Sequence, residues 1–169
     1  MNAKTTKESR TIQASLVQPS DTNFHGTMFG GKMMAYIDEV AAIAAMRHSR
    51  RPVVTASIDS IDFLTPVKMG HSICLEAIIS STGKTSMEVF VKIISENLRT
   101  GERTLTATSF LTFVALGEDG KPTPVPPIIP ETDEERYLFE TAEERKNMRK
   151  ERKRSTEAFV SQLNITKNI

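Results

Sequence analysis

From Lys32 to Arg50 the chain has neither proline nor glycine, and its apolar residues recur at helical steps. Met34, Ile37, Ala41 and Ala45 stand three or four positions apart, and alanine dominates the second half. This spacing predicts one long helix, apolar enough to be wrapped on most of its sides. The period then changes. Val53 to Thr65 is rich in β-branched residues and stops at Pro66, and Ser72 to Ser80 puts Ile73, Leu75, Ala77 and Ile79 on one face. Met87, Val89, Val91 and Ile93 line the next strand, and Arg103 to Leu116 sets Leu105, Ala107, Leu111 and Phe113 opposite a row of threonines. Thr82-Gly83-Lys84 and Leu98 to Gly101 read as turns, and Thr11 to Gln18 alternates as a strand ahead of the helix. One strand, one helix and a run of antiparallel strands predict an α+β chain whose sheet curls around the helix.

That unit spans residues 11–117, and its flanks differ from it in composition. Residues 1–10 are polar and read as a flexible arm. Pro122, Pro124, Pro126, Pro127 and Pro130 mark residues 118–131 as a stiff, extended linker. Over 132–169 a charged helix and tail are expected. Thr132 and Glu135 form a capping box at the start, with acids first and a basic run at 145–154 that suits the helix dipole. The apolar stripe of this helix (Leu138, Ala142, Met148) is thin, so light packing on the domain is expected.

A chain of 169 residues, 38% hydrophobic with a formal net charge of +1, does not call for nucleic acid or an anionic membrane. The lone Cys74 cannot form an intrachain disulfide, the polar start lacks the core of a signal peptide, and no apolar run reaches the roughly 18 residues of a membrane span. A cytoplasmic location is the expectation.

Chemistry concentrates around the helix. Asp38 lies four residues from both Met34 and Ala42, so it shares a side with apolar positions, where an ionised carboxylate is costly unless paired or used. An interface ion pair or a hydrogen bond to a nearby hydroxyl would satisfy it, and so would a role as general base. Gly26, Gly30 and Gly31 permit close approach of a ligand, and the unpaired N–H groups at a helix start suit a polarised carbonyl oxygen. Asn23 can donate to that carbonyl, hold a water, or simply cap its own turn. His25 reads as a hydrogen-bonding loop residue. Cys74 is a poor nucleophile candidate, and His48 and His71 lack partners at metal-ligand spacing, so no metal and no cofactor are expected.

The run Asn23-Phe24-His25-Gly26-Thr27-Met28-Phe29-Gly30-Gly31, followed by Ile37-Asp38-Glu39-Val40-Ala41, resembles the signature of hotdog-fold acyl-CoA thioesterases. The closest group looks like the bacterial acyl-CoA hydrolases related to the brain-type cytosolic enzyme. The resemblance continues through Val54 to Phe63 and Gly83 to Met87, and covers roughly residues 11–116. It implies a curled antiparallel sheet around a central helix, Asn23 and Asp38 as a catalytic pair, and dimers commonly grouped as hexamers, a trimer of dimers. It also implies coenzyme A lying across a subunit boundary near Gly83, Lys84, Thr85 and Ser86, where Lys84 can meet a phosphate. Thr55 is a candidate for steadying Asp38 or its water.

The expected reaction is hydrolysis of a fatty acyl-CoA, with Gly30 and Gly31 polarising the carbonyl and Asp38 acting as base or nucleophile. A non-catalytic acyl-CoA sensor and a hydroxyacyl dehydratase are the alternatives. Gly31 and Asp38 are seven residues apart, about 10 Å along a helix axis. A carbonyl at the helix start is therefore better served by a partner chain's Asp38.

Overall fold

The computed structural model describes residues 1–163, so the end of the expected tail, 164–169, lies outside the described residues. The order of elements is β1 (Lys4–Thr5), β2 (Thr11–Leu16), α1 (Gly30–Ser49), β3 (Val53–Phe63), β4 (Ser72–Thr82), β5 (Ser86–Glu96), β6 (Arg103–Ala115), β7 (Ile128–Ile129), α2 (Asp133–Glu140) and α3 (Ala142–Val160). Five strands form one antiparallel sheet in the order β2-β4-β5-β6-β3, with α1 against its inner face: a hotdog fold. Among the described residues, no helix is long and apolar enough to cross a membrane.

The alternating residues of β4 and β5 read from the sequence do meet the helix. Ile73, Leu75, Ala77, Ile79, Met87, Val89, Val91 and Ile93 are all buried against Met33, Ile37, Val40, Ala41, Ala44 and Ala45 of α1. Each large side chain buried in this way stabilises the fold by about 1.5–3 kcal/mol, and the helix alanines let sheet and helix approach closely. Arg50 ends α1 in the left-handed conformation (φ 54°), its N–H donating to the Met46 carbonyl, and the chain turns into β3. In β6 the expected face breaks at Leu105, which is exposed. The register with β5 shifts between Ile93 and Ile94, so Thr106 and Ala107 both turn inward and residues before them change sides.

Met34 also departs from expectation. It is 41% exposed, one helical step round from the buried Met33. The sheet therefore covers α1 on one face only and leaves Met34, Ala35, Asp38, Glu39 and Met46 on the other.

The flanks are not loose. Lys4 and Thr5 pair in parallel with Ile128 and Ile129, Thr6 and Ser9 are buried, and Lys4 donates through Nζ to the His48 carbonyl (2.6 Å). The proline-rich stretch is extended, but Val125 and Ile128 join the core. His48, fully buried, donates from Nε2 to the Pro126 carbonyl (2.8 Å). Burial pushes its pKa down despite that bond, so the ring stays neutral and pins the stretch to α1. The arm fails as an expectation because its apolar partner, Ile128–Ile129, lies far along the chain.

The C-terminal helix breaks at Thr141 and packs more firmly than its thin apolar stripe suggests. Arg145, Arg149 and Arg152 lie on one side of α3, facing two acids on the outer sheet surface. Arg145 donates to Glu88 (2.8 Å), while Arg149 and Arg152 donate to Asp59 (3.1 and 2.6 Å). Glu88 is 3% exposed and also accepts from Ser80, and the Arg145 guanidinium sits over the Phe110 ring. Buried ion pairs hold only when their remaining valences are filled in this way.

For Asp59, burial pushes the carboxyl pKa up, but hydrogen bonds from Ser57 and Thr112 and the charges of Arg149 and Arg152 outweigh it and hold it low. Its folded pKa is therefore below the unfolded value of about 4, so its stabilisation is complete above about pH 4 and is lost as pH falls through the folded value. We expect hydrogen-exchange protection over residues 142–152, corrected for the intrinsic pH dependence of amide exchange, to be flat from about pH 8 to pH 5 and to fall below about pH 4. Asp59→Asn should exchange fast throughout.

Candidate active site

The start of α1 is open. The Phe29 N–H donates to the Asp21 carbonyl (2.8 Å), and the N–H groups of Lys32 and Met33 both donate to the Phe29 carbonyl. Among the described residues the N–H groups of Gly30 and Gly31 meet no acceptor. Phe29 at the N-cap offers no side-chain acceptor, and the first turn carries no acid. An end left uncapped keeps its partial positive charge available for an outside oxygen. The glycines matter for access. A Cβ on Gly31 would lie 2.5 Å from Cε1 of Phe29, whose exposed ring lies beside it, and one on Gly30 would touch Phe63 (3.6 Å).

Asp38 lies eight residues beyond Gly30, about 12 Å along the axis, on the bare face of the helix. Thr55 of β3 donates to its Oδ1 (2.9 Å), and among the described residues no cation pairs with it. A hydroxyl partner was one of the arrangements the sequence left open for Asp38. That bond engages one oxygen, and Oδ2 has no hydrogen-bond partner among the described residues.

Asn23 is more occupied than a free catalytic amide would be. Its Oδ1 accepts from the His25 N–H (2.9 Å), its Nδ2 donates to Thr27 Oγ1 (3.1 Å), and Gly26 takes a positive φ of 73° to close the turn. The second Nδ2 proton remains available. The side chain thus shapes the loop that leads into the open helix end. His25 is exposed and stacks on Phe24 (4.0 Å between centroids), and no cluster of metal-binding type occurs among the described residues.

Gly83, Lys84, Thr85 and Ser86 form the β4–β5 turn, with the Gly83 N–H donating to the Ser86 carbonyl (2.8 Å). The turn lies far from Asp38 in sequence and forms one wall of a separate groove of about 460 Å³. Gly83 and Ser86 line it together with Lys146, Arg149 and Lys150 of α3. A second cavity, of about 300 Å³, lies beside the open helix start between Thr27, Gly30, Met33, Phe63 and Val67, and Asp38 and Asn23 do not line it. One chain therefore holds the carboxylate and the open helix end apart. The acids Asp59 and Glu88 escaped the sequence reading. The arginines 145, 149 and 152, spaced four and three apart, were the available signal.

A curled sheet around one helix, a carboxylate at mid-helix and a glycine-opened helix start define the hotdog class of thioester-handling proteins. Residues 25–102 match the thioesterase superfamily. A Bacillus subtilis protein named as an uncharacterized acyl-CoA thioester hydrolase is 56% identical over 161 residues, 95% of this chain and 94% of its own. The chain belongs to this thioesterase family. Among solved structures, an apo-hexameric acyl-CoA thioesterase has a TM-score of 0.88 at 55% identity, covering 90% of this chain and 97% of that one. The Staphylococcus aureus acyl-CoA hydrolase, solved with butyryl coenzyme A, coenzyme A and coenzyme A disulfide, has a TM-score of 0.91 at 45% identity, covering 94% and 97%. Variants of that protein with an aspartate, a threonine or an asparagine changed to alanine have also been solved.

The edge strand β3 carries exposed Val54, Ile58 and Phe63 along an unpaired backbone, a surface that invites pairing with another chain. We expect Ile58→Lys to leave the chain folded by circular dichroism but to shift it to monomer in light scattering. The wild type should scatter as an oligomer.

Proposed function

We propose that this protein hydrolyses acyl-CoA thioesters to a free fatty acid and coenzyme A, at sites each built from two chains. The observation that carries this reading is the division of the machinery: a carboxylate oriented by Thr55 on a bare helix face, and two free N–H groups about 12 Å away at the helix start. The relatives' names as acyl-CoA thioester hydrolases favour hydrolysis over acyl-CoA sensing or dehydration.

Antiparallel pairing of β3 with its copy, centred on Ile58, would set Thr55 of one chain opposite Ile61 of the other. Phe63, two residues on, adjoins Gly30. The partner subunit's Asp38 is then brought toward this chain's open helix end. The hexameric state of one close structural relative fits such an assembly, grouped as a trimer of dimers.

In the site so formed, the N–H groups of Gly30 and Gly31 hold the thioester carbonyl oxygen, and the loop fixed by Asn23 presents it. Asp38 takes a proton from water as the water oxygen bonds to the carbonyl carbon. The negative charge that moves to the carbonyl oxygen is met by the two N–H donors, an arrangement typically worth about 2.7–4 kcal/mol per donor. Collapse of the adduct breaks the carbon–sulfur bond, and the coenzyme A thiolate leaves and takes up a proton.

In the Staphylococcus aureus hydrolase the altered asparagine, aspartate and threonine are spaced 15 and 17 positions apart. Asn23, Asp38 and Thr55 have the same spacing, which supports giving these three the site roles. For the nucleotide end, the groove between the Gly83–Ser86 turn and α3 supplies Lys146 and Lys150 to phosphates, with Lys84 exposed on the turn.

Thiol release from a panel of acyl-CoAs tests the reading. Wild type should turn over, and Asp38→Asn should lose about 10²–10⁴-fold in kcat while still binding substrate. A fully active, correctly assembled Asp38→Asn protein would contradict it. Thr55→Val should cost about tenfold, the scale of one hydrogen bond to a charged group, with Thr55→Ser recovering most of it. Lys150→Ala should raise KM severalfold at low salt with little change in kcat, an effect that shrinks as salt screens the exposed charge.

A further inference from the structure

Beyond Arg152 every described residue of α3 is exposed, because the helix has run past the edge of its own sheet. Its path crosses the strands. Arg145 meets Glu88 on β5, and seven residues on Arg152 meets Asp59 on β3, with β6 between the two. Seven residues of helix rise about 10.5 Å, close to the roughly 9.6 Å of two strand spacings. β3 is the last strand, so the eight residues from Arg152 to Val160 carry α3 about 12 Å beyond it. The face turned to the sheet changes character at that edge. Positions 145, 149, 152, 156 and 159 follow one another at steps of four and three, on one side of the helix. The first three are arginines on the two sheet acids. Thr156 then donates its hydroxyl to the Arg152 carbonyl (2.9 Å), and Phe159 follows with Val160 beside it, 63% and 54% exposed. The stripe turns apolar where its own sheet stops, and no described residue of the chain covers it.

We propose that α3 is a strap that crosses the β3 edge and lays Phe159 and Val160 on the outer sheet face of a second copy of this chain. This rests on the pairing of β3 with its copy given above, which would continue the sheet beneath the overhanging helix. Phe159, about 10 Å past β3, would then stand over the second strand beyond it, the partner subunit's β6. α3 meets β3 at Asp59, one residue from the pairing centre at Ile58, so two-fold symmetry brings the partner's strap over Ser57 of this chain. A groove of about 520 Å³ opens beside α3 at that place, over Ala56, Ser57 and Thr112. Thr112 of β6 is the cross-strand neighbour of Ser57. Two residues on, Val114 pairs with Val54, which is 45% exposed, so the outer face offers an apolar patch where the end of the strap arrives. The arginines thus anchor the strap to its own chain, and the apolar end ties it to the other. The rival arrangements are a helix end that projects uncovered and one covered at another face of the oligomer.

The test combines hydrogen exchange with cross-linking on the full chain. In the assembled wild type, residues 153–160 should be protected. In the Ile58→Lys monomer they should lose that protection, while residues 142–152 keep theirs. Subunits carrying Phe159→Cys, mixed and exchanged with subunits carrying Val114→Cys in a Cys74→Ser background, should be joined by a short bismaleimide. Neither kind of subunit alone should be joined. Val54→Cys, at an exposed position, takes the place of Val114→Cys if that variant does not fold. Phe159→Asp combined with Val160→Asp changes only exposed positions and should raise the dimer dissociation constant by about tenfold or more. An assembled wild type with 153–160 unprotected overturns the strap and leaves the β3 pairing standing. So does an exchanged mixture that gives no cross-link, or protection that persists in the monomer. A wild type that scatters as a monomer overturns the β3 pairing, and the strap with it.

Discussion

One helix has two sides, and this chain has sheet for only one of them. The five strands can bury Met33, Ile37, Val40, Ala41, Ala44 and Ala45, and they do so completely. The opposite side of α1, with Met34, Ala35, Asp38 and Met46, is then left largely uncovered among the described residues. That side presents apolar surface with a carboxylate set in it, next to an edge strand whose backbone is also unpaired. A second chain would relieve both exposures and would give the carboxylate something to act on. The core, the proposed association and the proposed chemistry all follow from a five-stranded sheet that covers only one side of α1.

Much of the fold could be read before any coordinates because it rests on period alone. The alternation of β4 and β5 and the long helix stand as the pattern placed them, as does the capping box of Thr132 and Glu135. Features that depend on a partner distant in sequence were hidden. The residues expected to be a loose arm became a strand because Ile128 and Ile129, over 120 positions away, supply its ladder. Met34 looked like a core residue because steps of three and four are shared by both faces of a helix, and only the sheet's position decides which face is buried. Leu105 turned outward because a register shift is invisible to a count of alternating residues.

The candidate site was legible to a similar degree. Asp38 stood out as an acid among apolar neighbours, and Thr55 is where a hydroxyl can reach it. The glycines before the helix pointed to an open end, and the structure adds that neither a capping side chain nor an acid occupies it. The attachment of α3 could not be foreseen, because a lone Glu88 between apolar residues and an Asp59 between Ile58 and Ser60 give no sign that three arginines some sixty to ninety positions later will meet them. Those ion pairs hold α3 against the outer sheet face, where its remaining lysines border the turn assigned to coenzyme A.

The claim on which the rest depends is that each site takes its carboxylate from one chain and its helix end and loop from another. Co-assembly of Asn23→Ala subunits with Asp38→Ala subunits, each inactive alone, tests it most directly. In a mixed dimer one site collects both lesions and the other is intact, so about half of the wild-type activity per mixed dimer should return. If subunit exchange is demonstrated and no activity reappears, both residues serve within a single chain and the composite site is contradicted.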